Sequence, residues 1–471
     1  MDKKTNGQLK WFIPMLAIIP FIIGTIGYVR AEESLSDSLY YSLSLYFVNL
    51  NSESSNIMID IARWTAAMVT AATVLYILKQ IWEKILRTVI SLRSDSVAVY
   101  NDNGKKIFFD DKSHAVIYPG RTICPRAKNH IIMMNTDTDS IKFYNENKAR
   151  FRNKKIYIGL LEIEYGLMKD VPDVTFYDIG GAIARTLWKS ISLWNNRGKT
   201  ESLIITIMGS GHLGQNILNH GLLLNLFSAH QSITYNLIGS TKLYQVAHDE
   251  IETCNQDSVH FYSPDDDDIW DVIKQSNIVI LTEQISFEKL QTIGTVCKDG
   301  QIFYYEPGEE DICRYIKLNH LIPYGRDCEI YTDENIRKDH LIKQAMDLNY
   351  DYVQHYGNEA SDTTPKKEWD KLDGFLKWSN ISSADFIEIM KAIAGFDYDV
   401  SEDELAELEH IRWCRFHYLN YWKYGIPDNG KNRDEKKKIH KCLRAYTDLS
   451  EADREKNREI VRNALIRETA P

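Results

Sequence analysis

The chain has 471 residues and carries 56 Lys and Arg against 66 Asp and Glu, a formal net charge of -10. That balance excludes broad, sequence-independent coating of nucleic acid, which needs a basic surface, while leaving room for a local basic pocket. The length suits about three domains. All seven cysteines (Cys124, Cys254, Cys297, Cys313, Cys328, Cys414 and Cys442) fall after residue 95 without a regular framework, as expected where thiols stay reduced.

From the N-terminus, Trp11 to Val29 is a nineteen-residue run without a charge, long enough to cross a hydrocarbon core as a helix. It is too long for a signal-peptide core, and no small-residue cleavage site stands around Arg30-Ala31-Glu32. Ile57 to Leu78 is a second candidate, interrupted near its start by Asp60 and Arg63, which lie i,i+3 apart and can pair on one face. Lys3, Lys4 and Lys10 precede the first span and Lys79, Lys84, Arg87 and Arg93 follow the second. The segment between them holds Glu32, Glu33, Asp37 and Glu53 against Arg30 alone. The positive-inside rule then puts both termini in the cytoplasm.

Between the spans, Leu39 to Leu50 is twelve uncharged residues rich in Tyr and Leu. Twelve helical residues rise about 18 Å, enough to enter a bilayer and stop near its middle. Leu39 to Phe47 would be a half-helix and Asn49-Leu50-Asn51-Ser52 a returning turn, non-helical backbone at that depth being tolerated where it lines a cavity. Tyr46, Phe47, Asn49 and Asn51 are the candidate pore residues. An amphipathic hairpin lying on the outer leaflet is the alternative. Asp37, Leu39, Tyr40 and Ser42 match the DxLYxS-type helix of two-span potassium channels, which this stretch resembles. The filter signature TVGYG is absent; Phe47-Val48-Asn49-Leu50-Asn51 stands in its place. The resemblance implies a tetrameric pore without strict potassium selectivity. Ile81, Ile85, Ile90 and Leu92, alternating with Lys84, Arg87 and Arg93, predict an amphipathic connector helix over 79–93.

SVAVYND, HAVIYPG, HIIMMNT and KIYIGLLEI, between about residues 95 and 200, are predicted strands of an α/β sheet, followed by a helix over Asp178 to Trp194. Only Asn101-Asp102-Asn103-Gly104 follows the first strand, so a nucleotide-binding unit here has lost its phosphate loop. The next unit keeps one: Leu203 to Met208 is an apolar strand, Gly209-Ser210-Gly211-His212-Leu213-Gly214 follows, and then a helix. Gly209 and Gly211 permit a tight turn and close approach to a pyrophosphate, and Gly214 permits close helix packing. Further strands are predicted at TYNLIG, IVILTE and QIFYYEP, with a helix over Ile269 to Gln275. This alternation is that of a Rossmann-type fold. The strand Ile233 to Ile238 ends in Gly239-Ser240, where a dinucleotide enzyme carries the acid that grips the ribose, and no hydride-transfer set stands out. We therefore expect a structural or regulatory domain, with no catalytic residue and no certain cofactor. Two such units after a two-span pore resemble the RCK (TrkA-N-like) gating modules of ligand-gated channels. The run Asp265 to Asp268 lacks the spacing of a calcium loop and is predicted to open a solvated helix.

Beyond residue 330 the pattern turns helical, over Tyr331 to Gly357 and Trp369 to Gly395, with Ser361 to Pro365 as a linker. Residues 404–425 and 437–459 resemble the bacterial RyR domain in Glu409-His410, Trp413, Trp422, Tyr424-Gly425, Lys438, His440, Leu449 and Asp453-Arg454. Tyr421 replaces the usual Gly and Lys441 the usual Pro. The candidate ligand-binding set is Glu409, His410, Trp413, Trp422, Tyr424, Lys438, His440 and Arg458, with Trp and Tyr faces for stacking a base and basic groups, Arg444 among them, for phosphates. His410 and His417, seven apart without companions in register, do not have metal-ligand spacing.

The fold class is thus two transmembrane helices with a re-entrant pore segment, then α/β Rossmann-like (RCK/TrkA-N) domains and a C-terminal α-helical RyR-like domain. The boundaries fall at 1–93 (spans 11–30 and 57–80, re-entrant 38–52), 95–200, 201–330, 331–400 and 401–471. The expected function is a homotetrameric ligand-gated channel in a bacterial inner membrane, gated by a nucleotide second messenger or short oligonucleotide. The resemblance to membrane effectors of anti-phage systems implies a defence role beside an operon-encoded nucleotidyltransferase. A membrane-anchored NAD-binding regulatory subunit or enzyme of an ion-transport system is the alternative.

Overall fold

The computed structural model describes residues 3–466 except 48–52, 103, 110–114, 163–170, 172, 200–201, 250, 252–256, 309–310, 319, 338, 357–362, 398 and 429; side chains are described for these residues other than 3–16, 339 and 466. The chain divides into two compact units, Met1–Ser94 and Asp95–Pro471.

The first unit is three helices: α1 (Lys3–Arg30), α2 (Leu35–Ser44), continued by a 3-10 turn at Leu45–Phe47, and α3 (Ile57–Ser91). Ser34 caps α2 by accepting the Asp37 amide at 3.1 Å, and its hydroxyl donates to the Asp37 carboxylate at 2.6 Å. Asn56 caps α3, its side-chain oxygen accepting the Met58 and Ile59 amides at 3.0 Å each. Its amide donates to the Gly27 carbonyl at 2.7 Å, so one side chain joins the end of α1 to the start of α3. Small residues let the backbones approach: a Cβ on Gly24 would stand 3.0 Å from Ser42 Oγ and 3.3 Å from Ala62 Cβ.

Further along, the Tyr46 hydroxyl donates to the Ala17 carbonyl, and Thr70 Oγ1 donates to the Tyr46 carbonyl at 2.9 Å. Ala17 lies ten residues before Gly27 on α1, a helical rise of about 15 Å. The segment α2 to Phe47 therefore runs back alongside α1 and α3 and does not cap their ends. The helical part begins at Leu35, four residues ahead of the expected start. Asn49 and Asn51 lie outside the described residues. The separate connector helix expected over 79–93 is instead the last third of α3, because Lys79, Lys84 and Arg87 are strong helix formers that change the polarity of a helix without breaking it. Among the described residues, α3 is the one helix long and apolar enough to cross a membrane, and Ala17–Arg30 is a shorter apolar stretch.

The second unit begins with five parallel strands, β1 (Val97–Asn101), β2 (Val116–Ile117), β3 (Asn129–Met133), β4 (Lys155–Leu160) and β5 (Val174–Asp178), in the order β2-β1-β3-β4-β5 of flavodoxin-like sheets. Helix α4 (Asp137–Asn147) crosses between β3 and β4. Helix α5 (Ile179–Ile191) leads to a second, six-stranded parallel sheet. Its elements are β6 (Ser202–Met208), α6 (His212–Leu224), β7 (Ser232–Ile238), α7 (Lys242–Ala247), β8 (Ser258–Tyr262), α8 (Ile269–Gln275), β9 (Ile278–Leu281), α9 (Phe287–Val296), β10 (Gln301–Tyr305) and β11 (Leu321–Tyr324). The order β8-β7-β6-β9-β10-β11 is the 3-2-1-4-5-6 order of dinucleotide-binding Rossmann sheets. Strands β5, β8 and β11 are additions to the elements that the sequence pattern predicts.

The helical part comprises α10 (Asp327–Ile330), α11 (Asp333–Arg337), α12 (Asp339–Tyr356), α13 (Pro365–Asp370), α14 (Gly374–Phe396), α15 (Glu402–Leu419) and α16 (Glu451–Ile466). Three two-residue strands, β12 (Lys423–Tyr424), β13 (Arg433–Asp434) and β14 (Ile439–His440), lie between α15 and α16. One apolar core runs from Val99 and Ile131 through Trp188, Ile205 and Ile217 to Ile387 and Leu408, so the sheets and the last helices share an interior.

Buried ion pairs fix that junction. Arg415 of α15, 2% exposed, donates to the Leu222 carbonyl at 3.0 Å and to Asp257 Oδ2 at 2.8 Å. Asp257 also accepts the Ile233 amide at 2.7 Å and Gln231 at 2.9 Å, which offsets the cost of burying its charge. Arg197, between α5 and β6, donates to Asp397 at 2.9 Å and to Glu404 at 2.8 Å. Lys105 ties the first sheet to the end of the second, donating to the Tyr331 hydroxyl at 2.7 Å and to Asp327 at 3.3 Å.

Candidate functional site

The glycine loop after β6 has the geometry that each glycine's place in the motif demands. Gly209 sits at φ +108, where a Cβ would lie 2.2 Å from Thr282 Oγ1. Gly211 has no atom within 4 Å of its Cβ position, so the backbone there is open to a close ligand. At Gly214 a Cβ would stand 1.9 Å from the Gly209 carbonyl oxygen, so only glycine lets α6 start this close to the turn.

The ribose side of the site is different. After β7 comes Gly239, at φ +152, whose Cβ position is 2.3 Å from Ser210 Oγ. A side chain long enough to hold a ribose cannot stand there, and Ser240 follows. The exposed Glu283 also hangs over the turn, its Oε1 lying 2.7 Å from the Cβ position of Gly209, and a phosphate approaching the loop has to displace it. The turn fits a pyrophosphate; the surroundings do not supply the ribose contact of a dinucleotide enzyme.

Beside the loop, His212 Nε2 lies 3.6 Å from Asp178 Oδ1, and the Asn216 amide nitrogen is 2.9 Å from the same Nε2. Burial pushes the Asp178 carboxyl up, but His212, the Gly181 amide and His220 outweigh it and hold it below the usual carboxylate range. Sequence spacing gives no sign of this imidazole–carboxylate pair, because strand β5 and the glycine loop are brought together only by the packing of α5 on α6. That crossing is close: Cβ positions on Gly180 and Gly181 lie 2.9 Å from Asn216 Nδ2 and His220 Nε2 respectively.

The RyR-like module separates the expected ligand-binding residues into two groups. Glu409 (1% exposed) is not a ligand contact but the buried partner of Arg412, accepting its Nε and Nη2 at 2.7 Å each and the Ser383 hydroxyl at 2.8 Å. His410 is buried against the Arg444 carbonyl at 2.8 Å. Trp422, expected to present a stacking face, is buried with its ring 5.3 Å from Phe375 and 5.5 Å from His417. Arg458 is already neutralised by Asp403 at 2.7 Å, Glu451 at 2.5 Å and Glu455 at 3.1 Å.

The rest come together at the surface. Pairing of β12 with β14 puts Tyr424 opposite His440, and His440 meets the half-buried Trp413 edge-on at 4.9 Å. Lys438 is exposed, with Nζ 4.9 Å over the Tyr421 ring. Tyr421, in the place of the usual glycine, takes φ +68, so the loop keeps a left-handed residue at a cost of about 1 kcal/mol. Burial lowers His417 to about 3 and His440 to about 4, so both imidazoles favour the uncharged form.

Residues 387–467 match the RyR domain family, a match that begins inside α14. No curated protein matches the chain. Among solved structures, shikimate dehydrogenase of Mycobacterium tuberculosis is similar at 8% identity, covering 59% of this chain and all of that one, with a TM-score of 0.29. A probable 2-hydroxyacid dehydrogenase from Rhizobium etli is similar at 10% identity over 58% of this chain and 99% of that one, TM-score 0.23. The malic enzyme of Entamoeba histolytica is similar at 9% identity over 93% and 96%, TM-score 0.27. Likenesses this slight carry no argument, and the Rossmann assignment rests on the strand order and the glycine loop.

The contrast between the last two glycines of the loop is measurable. Gly214→Ala is expected to lower stability by about 3 kcal/mol and Gly211→Ala to change it by less than about 0.5 kcal/mol, as read from urea unfolding. The buried imidazole of α15 gives a pH dependence. His417 is neutral when buried and has an ordinary pKa near 6.5 when unfolded. The unfolded chain therefore binds the extra proton as pH falls, and the stability present above pH 6.5 is lost toward pH 3 at up to about 1.4 kcal/mol per unit. Unfolding curves at pH 6.5 and pH 5 are expected to converge in His417→Gln by about 2 kcal/mol relative to the parent.

Proposed function

We propose that this chain is a ligand-gated membrane channel whose pore is built from several copies of its first unit and whose second unit carries a sensor for a nucleotide-type signal. The observation that carries this reading is the course of α2, which runs back some 15 Å between two helices whose outward faces remain apolar. Ile18, Ile22, Ile26, Ile61, Trp64, Met68 and Leu75 are all exposed, a surface that water does not tolerate and a bilayer does. The two spans of this reading are α1 and the first two thirds of α3, and the basic flanks support a cytoplasmic side for both termini in a bacterial cell.

The 35 residues of α3 rise about 52 Å, well beyond a hydrocarbon core of about 30 Å. The excess supports a role in carrying movement from outside the bilayer to the pore. Leu78, Ile81, Ile85 and Leu92 form an exposed stripe at heptad-like spacing on it, suited to self-association, and four copies is the number the pore plan implies. The match to the RyR domain supports a sensing role, and a defence function beside a nucleotidyltransferase belongs to the same proposal. A second reading, a membrane-anchored dinucleotide-binding protein or enzyme, is favoured by the open Gly211 and opposed by Gly239 and Glu283.

The test is reconstitution of the purified full-length chain, alone, in a planar bilayer. Current is expected in the presence of nucleotide extract from phage-infected cells, with ion preference altered in Asn49→Ala and Asn51→Ala. Absence of current from the parent chain contradicts the proposal.

A further inference from the structure

A half-enclosed cavity of about 90 Å³ lies among α5, α6, α14 and α15, where the Rossmann domain meets the last helices; its α14 lining precedes the residues that match the RyR domain. Asp178 reaches its wall from the start of α5 and Asp385 from α14. Both are more than nine-tenths buried, 6% and 4% exposed, and Oδ1 of each faces a basic side chain outside good hydrogen-bond geometry, His212 Nε2 at 3.6 Å from Asp178 and Lys189 Nζ at 3.2 Å from Asp385. A carboxylate oxygen has more than one lone pair, so each keeps capacity to accept from a group inside the cavity.

The surrounding charges decide what that is. Asp385 has Lys189 Nζ 3.2 Å from Oδ1 and Arg185 Nε 3.7 Å from Oδ2. Burial pushes its carboxyl up, but these cations outweigh it and hold it below the usual range. Arg185 and Lys189 both stand against Asp385, while His212 and the cavity-lining His220 stand against Asp178, so neither carboxylate is left uncompensated. A metal ion would compete with Arg185 and Lys189, and a phosphate would meet both carboxylates at short range. A neutral group rich in hydroxyl donors meets neither obstacle. Trp378 also lines the cavity and brings an aromatic surface of the kind that packs against a sugar or base. Asn219, whose Oδ1 accepts from the Tyr244 hydroxyl, lines the same space.

We propose that this cavity binds the vicinal diol of a ribose in a nucleotide-derived ligand, with the two aspartates accepting from its hydroxyls and any phosphates held outside. The assignment rests on the nucleotide-sensing reading above and gives it a site, at the joint instead of on the surface around Trp413.

Adenosine is the probe, titrated calorimetrically into the full-length chain in detergent. Saturable binding is expected, with 2′,3′-dideoxyadenosine weaker by at least about tenfold, because a carboxylate left unpaired by the missing hydroxyls is penalised. Asp385→Asn and Trp378→Leu are each expected to weaken adenosine about tenfold or more. The comparison of the two nucleosides uses the parent chain alone, so it stands even where a variant fails to fold. Equal affinity for the two nucleosides, no saturable binding of adenosine, or parent-like affinity in both folded variants overturns the proposal. Bilayer current is read separately. A chain that binds adenosine in this way yet never conducts sinks the channel and keeps the site, whereas a channel opened by nucleotide extract whose response is unchanged in Asp385→Asn keeps the channel and sinks the site.

Discussion

The second unit depends on the burial of one guanidinium. Arg415 leaves the RyR-like helix α15 and ends inside the Rossmann domain, on Asp257 and the Leu222 carbonyl, with both charged groups at most 3% exposed. Taking two charges out of water costs several kcal/mol each, and only full hydrogen bonding offsets it. Here the carboxylate is satisfied by Arg415, the Ile233 amide and Gln231 together. Pulling the helix away would strand Asp257 without its cation, so the pair acts as a lock. Arg197 and Lys189 make more exposed pairs nearby, each reaching from the Rossmann side to carboxylates at or beside the helices. The RyR-like part is therefore not free to swing, and a displacement of α14 or α15 bears on α6 and β7 at once.

The first unit is held by different chemistry. Its small buried core joins Tyr28, Leu45 and Ile59 with small or hydroxyl-bearing residues (Ser38, Ser42, Ala62 and Ala66), and many of its outward residues are large and apolar. Cohesion comes from close backbone approach and a few strong polar contacts: Asn56 on Gly27, Tyr46 on Ala17 and Thr70 on Tyr46. What sets this unit apart from the second is the large apolar residues left on its outside, which the proposed membrane setting accounts for.

What could be read from the sequence was local. The glycine loop was legible because each glycine answers a constraint within a few residues, a turn at φ +108 or a carbonyl 1.9 Å away. The helices and the longer apolar strands were legible from their periods. Strand order was not, because pairing of β6 with β9 joins segments some seventy residues apart. Strands β5 and β11 lack an alternating pattern, and β8 is short and half exposed. The Asp178–His212 pair was hidden for the same reason of distance. Glu409 and Trp422 were misplaced because a motif names residue types without saying which way they face. Arg412, three residues on, was the available signal that Glu409 is an internal ion pair. The connector after the second span was misread because hydropathy changes at Lys79 while the helix does not.

The central claim is that the Rossmann sheet and the RyR-like helices open as one body. Native-state hydrogen exchange on the full-length chain in detergent tests it directly. Amides of α15 are expected to be as protected as those of β6 and β7, and in Arg415→Met all of them are expected to lose protection together. Exchange of α15 some hundredfold faster than β6 and β7 in the parent chain would mean that the helix undocks by itself, and the account would fail.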